Sequence, residues 1–153
     1  MKKIQLILAT LLVVLGIEGA TNSIQAHASS STTTPKSLRG TWYKYTGDGK
    51  FSTIKITTHS LTYNGSIYSP SKSGAHKLKV SKWGSWYSFN KGSSSSNLGQ
   101  FKTEKRLIKG SYKKSLVRYH SIGTYYVFTH HKYNQDYSFK KYDKYPEKVF
   151  GNG

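Results

Sequence analysis

The chain has 153 residues, with 24 Lys and Arg against six Asp and Glu, no cysteine and three prolines, for a formal net charge of +18. That length holds at most one ordinary domain, which excludes a multidomain machine. The lack of cysteine removes disulfides, thiol nucleophiles and Cys–zinc sites together.

Residues 1–28 have the layout of an export signal. Lys2 and Lys3 form a positive start, Ile4 to Leu15 is an apolar run broken only by Gln5 and Thr10, and Ala26-His27-Ala28 puts small residues where a signal peptidase reads. The run falls short of the ~20 residues needed to cross a bilayer, so a signal peptide rather than a transmembrane anchor is expected. The product is then secreted, and either extracellular or held electrostatically at the cell surface. Cleavage leaves 125 residues with 22 basic and five acidic side chains, a formal charge of +17.

Ser29 to Lys36 is Ser and Thr with one Pro and no apolar residue, and a flexible leader is expected over 29–36. A single β-domain is expected over 37–153. Short segments of alternating character follow: Thr41 to Tyr45, Phe51 to Thr57, Leu61 to Tyr68, Lys77 to Lys82, Ser85 to Phe89, Leu107 to Tyr112, Leu116 to His120 and Thr124 to His131. Each reads as a strand. Gly47-Asp48-Gly49, Asn64-Gly65, Ser73-Gly74, Asn90-Lys91-Gly92 and Gly123 supply turn residues that accept positive φ. Tyr125-Tyr126-Val127-Phe128 is apolar on both faces, which suits a central strand or one whose outer face meets something else. From Lys132 onward the tyrosines are irregularly spaced among lysines, and a short helix, a last strand and a mobile extension all remain open there.

The region after the signal holds 22 aromatic residues and 15 Leu, Ile and Val, so rings must share the core. Strands at intervals of about ten residues point to a sandwich or barrel, and closure protects strand edges from aggregation. The expected fold is all-β, a small antiparallel up-and-down barrel of about 7–9 short strands.

Recognised enzyme motifs are missing, and the few carboxylates fall mostly in turns or the lysine-rich tail, so a non-enzyme without cofactor is expected. His130 and His131 are adjacent and point to opposite faces of a strand; a metal would need one of them to meet His120 across a hairpin, and no metal is assigned. The charge carries more information. A net charge of +17 exceeds the magnitude of ~2–8 that solubility alone asks of a small domain, so an anionic neighbour is expected. Lys77, Lys79 and Lys82 form one candidate polyanion-binding group, and Lys105, Arg106, Lys109, Lys113 and Lys114 another. Trp42, Tyr43, Trp86, Tyr87 and Tyr125 are candidate ligand-binding rings, able to stack on sugars at a rim. Export makes an anionic cell-wall polymer or glycan the expected partner of a monomer, with no specific nucleic acid.

Pro35-Lys36-Ser37-Leu38-Arg39-Gly40-Thr41-Trp42-Tyr43, directly after an export signal, resembles the opening of small uncharacterised secreted proteins of lactic acid bacteria. That resemblance implies an extracellular location and little chemistry. Gly40-Thr41-Trp42 is also similar to the G-x-W of lipocalin-type barrels, in which the tryptophan closes the barrel floor beneath an arginine from a late strand. Arg118 is the residue placed late enough for that role. The likeness implies a barrel and, as the alternative function, a lipocalin-like carrier of a small apolar ligand.

Overall fold

The computed structural model describes residues 33–92 and 96–141. The expected signal peptide, most of the leader and the tail beyond 141 lie outside the described residues.

Ten strands make up the described body: β1 (Gly40–Gly47), β2 (Lys50–Ile56), β3 (Leu61–Tyr63), β4 (Ser66–Tyr68), β5 (Leu78–Trp83), β6 (Trp86–Lys91), β7 (Asn97–Ile108), β8 (Ser111–Ser121), β9 (Thr124–Phe128) and β10 (Phe139–Lys140). The all-β, antiparallel expectation holds. The strands form two sheets, each following chain order: β1-β2-β3-β4, and β5-β6-β7-β8-β9-β10.

Closure into a barrel does not. Among the described residues the sheets are joined by single bridges, Tyr43 to Thr129 on one side and Ser69 to Lys77 on the other. β3 and β4 are three residues long, too short to carry a ladder around a cylinder. The chain then enters β5 through a 3-10 turn at Gly74–His76, and its bridge back to Ser69 is parallel, which interrupts the antiparallel meander.

The core lies between the sheets. Trp42, Ile54, Ile56 and Leu61 from the first sheet belong to one cluster with Phe89, Phe101, Leu116 and Phe128 from the second. Rings do share it, as the composition requires: Trp42 and three phenylalanines are among its fully buried side chains. A second cluster on the outer face of the larger sheet contains Trp86, Ile108, Val117, Tyr125 and Val127, with Tyr133, Tyr137 and Phe139 packed on it. That accounts for the doubly apolar run at 125–128. Tyr126 and Phe128 face the inter-sheet core, while Tyr125 and Val127 meet the chain's own segment after β9.

Three hairpins turn on two-residue loops with both φ positive: Asp48-Gly49, Asn64-Gly65 and Lys109-Gly110. This geometry matches the twist of the flanking strands. Asn64-Gly65 splits the segment expected as one strand from Leu61 to Tyr68 into β3 and β4. Lys109-Gly110 likewise converts the expected strand Leu107 to Tyr112 into the end of β7, a turn and the start of β8. Of the three possibilities for the region after Lys132, a last strand is observed at β10, where Phe139 pairs with Tyr125.

The end of the expected leader is part of the body. Thr34 is buried, its amide donates to the Thr58 carbonyl at 2.8 Å, and its hydroxyl bonds the Thr57 carbonyl. Arg39 returns two guanidinium hydrogen bonds to the Thr34 carbonyl. A polar segment becomes ordered here through backbone partners, without apolar burial of its own.

Candidate functional site

β7 and β8 pair from Gln100–Tyr119 to Ile108–Ser111. β6 accompanies β7 only as far as Phe101, and β9 accompanies β8 only from Leu116 onward. Beyond those points no further strand among the described residues pairs with either, and the two form a ribbon that ends at Lys109-Gly110. Because side chains alternate across a strand, the ribbon has two distinct faces.

One face carries Lys102, Glu104, Arg106 and Ile108 opposite Val117, Ser115, Lys113 and Ser111. It is occupied by the protein itself. Glu104 accepts ion pairs from Lys102 at 2.8 Å and Arg106 at 3.3 Å. The Arg106 guanidinium lies 3.8 Å above the Phe139 ring, and the Lys102 ammonium 4.8 Å above Trp86. Ile108 is fully buried in the outer cluster.

The other face continues outward from the core residues Phe101 and Leu116. It presents the cross-strand pair Lys105–Lys114 and then the pair Leu107–Tyr112. Lys105 and Lys114 are exposed, and no carboxylate partners either among the described residues. Residues directly opposite in an antiparallel ladder have Cβ atoms about 4.5–5.5 Å apart, where like charges destabilise the pair. Lys114 sits 6.0 Å from the Trp42 ring, so this cation stands at the edge of the inter-sheet core. Lys109 at the turn and Lys113 on the packed face extend the charge around the end of the ribbon. The structure thus brings Lys105, Arg106, Lys109, Lys113 and Lys114 onto one projecting hairpin.

The other lysine group stands apart. Lys77 precedes β5, and Lys79 and Lys82 lie on it, at the edge of the larger sheet with β6 between them and β7. Lys82 lies 5.7 Å over Tyr87. Charge on an edge strand also discourages pairing with another chain.

The candidate rings occupy different places. Trp42, Trp86 and Tyr125 are buried, and Tyr43 and Tyr87 are half-buried. Trp42 donates its indole N–H to the Leu38 carbonyl at 2.8 Å and stacks on His130 at 3.6 Å. Trp86 and Tyr125 stack at 6.0 Å, and Tyr125 stacks on Phe139 at 5.0 Å. Arg118, expected to take the place of the lipocalin arginine, lies 5.2 Å over Tyr63, with its Nε buried and without a hydrogen-bond partner among the described residues; Trp42 instead has the His130 ring and the Lys114 ammonium beside it. Among the described residues the tryptophan and tyrosine side chains that are mostly exposed are Trp83 and Tyr112. Sequence reading missed both, because Tyr112 becomes legible only once Lys109-Gly110 is read as a turn that sets it opposite Leu107.

His130 hydrogen-bonds the Thr41 carbonyl at 3.0 Å, and His120 stacks on Tyr126 at 4.3 Å. Among the described residues no group of three His, Cys, Asp or Glu could hold a metal ion. No protein-family model, curated protein or solved structure matches the chain.

Proposed function

We propose that this chain is a secreted, non-enzymatic basic protein that associates with anionic cell-envelope polymers or glycans through the β7–β8 ribbon. The observation that carries the reading is the facing pair Lys105–Lys114, exposed and without a carboxylate on its face, beside Lys109 and Lys113. A folded protein that sets like charges against each other at a projecting tip accepts a local cost, and an anionic partner removes it. Support for a non-enzyme comes from the described carboxylates: Asp48 is in a turn, Glu104 is held by two cations, and Asp136 is paired with Lys44.

The carrier alternative draws support from Trp42, which seals one end of the core beside the 3-10 turn Lys36–Leu38. The space between the sheets weighs against it, since Phe89, Phe101 and Phe128 pack there at 0–1% exposure. Titration with dextran sulfate in a salt series tests the first reading. Raising salt from about 0.1 M to 1 M shrinks the screening length from about 10 Å to 3 Å, and binding should fade with it. Binding unchanged in molar salt refutes it.

A further inference from the structure

The exposed face of the ribbon holds more than charge. Leu107 is 58% exposed and Tyr112 75%, and the two lie directly opposite each other between the Lys105–Lys114 pair and the Lys109 turn. The lysines meet the charge of a soluble polyanion and Tyr112 could stack on a sugar, but Leu107 has no such stacking face, and its exposed aliphatic surface beside the ring suits an apolar partner.

We infer that this face is a bilayer-docking element for anionic phospholipid, with Leu107 and Tyr112 entering the interface and Lys105, Lys109 and Lys114 meeting the phosphates around them. The inference rests on the polyanion reading of the same ribbon and specifies its partner. Three observations support it. First, cations flank the apolar pair on both sides along the ribbon, the arrangement that interfacial elements use to combine apolar burial with attraction to anionic lipid. Second, tyrosine suits headgroup depth, having an apolar ring and a polar tip, and lysine stems can lie along the apolar surface while the ammonium stays with phosphate. Third, among the described residues one face of the ribbon is free and the other is covered. The opposite face is closed by Arg106 on Phe139 and by Ile108 in the outer cluster, so the ribbon can lie on a surface in only one way.

The test uses the full chain after signal removal, with vesicles of phosphatidylglycerol mixed into phosphatidylcholine, vesicles of phosphatidylcholine alone, and dextran sulfate as a soluble control. The wild type should float with the mixed vesicles and not with the neutral ones. Leu107→Ser with Tyr112→Ser should lower partition onto the mixed vesicles by about tenfold or more, given the area withdrawn from the interface, and leave dextran sulfate affinity unchanged. Lys105→Gln with Lys114→Gln should weaken both. As a second measurement, Leu107→Trp should show a blue-shifted emission on the mixed vesicles and quenching by brominated lipid.

A serine variant that partitions like the wild type overturns the inference, as does a tryptophan at 107 that stays unshifted and unquenched. Binding of dextran sulfate with no binding of mixed vesicles also overturns it, and leaves the polyanion reading standing. Binding of neither removes both.

Discussion

Lys105 lies directly opposite Lys114 on the exposed face of the β7–β8 ribbon, while Glu104 on the same strand points to the other face and is shared by Lys102 and Arg106. Alternation along β7 thus separates acid from base: Lys105 and Leu107 face the free surface, and Glu104 points away from it. Stability and binding should therefore respond in opposite directions to the same substitution. Lys105→Glu turns a like-charge pair into an opposite-charge pair and should stabilise the fold by about 0.2–1 kcal/mol, measured by urea denaturation. The same variant should bind dextran sulfate more weakly.

Trp42 and His130 make a second pairing with a distinct prediction. Gly40 has φ +136, and a Cβ there would fall 2.6 Å from His130 Cε1. Gly40→Ala should destabilise by about 1–3 kcal/mol through backbone strain and that contact. In a His130→Gly background, which itself loses the stacking on Trp42 and the hydrogen bond to Thr41, Gly40→Ala should cost less than it does in the wild type, because the contact is gone and the strained φ remains. Full additivity of the two substitutions in thermal melts would show that the ring and Gly40 are not coupled.

Much of the fold was legible because period and turn chemistry agree along the chain. Ile54 and Ile56 alternate with Thr53 and Lys55, and their side chains are buried and their neighbors solvated as that pattern requires. Asp48-Gly49 and Asn64-Gly65 carry the residues that take positive φ readily. Lys109-Gly110 does not advertise itself: lysine in the left-handed region is uncommon, so Leu107 to Tyr112 reads as continuous strand although it is a turn. The missed turn concealed the candidate site, because only the turn sets Lys105 against Lys114 and Leu107 against Tyr112. The lysine cluster itself was visible, whereas the burial of Trp86 and Tyr125 depends on an outer apolar cluster covered by Tyr133, Tyr137 and Phe139, and that of Trp42 on the packing of one sheet against the other, neither of which a local pattern announces.

The turn supplies its own test. Asparagine tolerates the left-handed region better than lysine, so Lys109→Asn at φ +49 should stabilise the fold by a few tenths of a kcal/mol, about 0.3. The check is the shift of the urea midpoint at constant slope. A midpoint that falls would mean that Lys109 makes an interaction worth more than the relief of backbone strain.

Asp136 ties the segment after β9 to β1 through Lys44 at 2.9 Å. Burial pushes its carboxyl upward, but hydrogen bonds from the Ser138 hydroxyl and amide, together with Lys44, outweigh that and hold it below the ordinary carboxylate value. A carboxyl lowered in the folded state stabilises fully above its unfolded pKa of about 3.9 and loses that contribution as pH falls through the folded value. The group is 45% exposed, so solvent screening keeps the effect under about 1 kcal/mol. Asp136→Asn should flatten the acid limb of stability against pH below about 4 and cost little at pH 3 compared with pH 7. An equal loss at both pH values would contradict the assignment.

Whether the ribbon, rather than total charge, does the binding is decided by moving the same charge change between two places. Lys105→Glu with Lys114→Glu removes positive charge from the ribbon, and Lys50→Glu with Lys55→Glu removes as much from β2 in the other sheet, where both lysines are exposed. Affinity for dextran sulfate at about 0.1 M salt, where charges separated by more than ~10 Å are largely screened, should drop at least tenfold for the ribbon variant and much less for the β2 variant. Equal losses from the two variants would contradict the account.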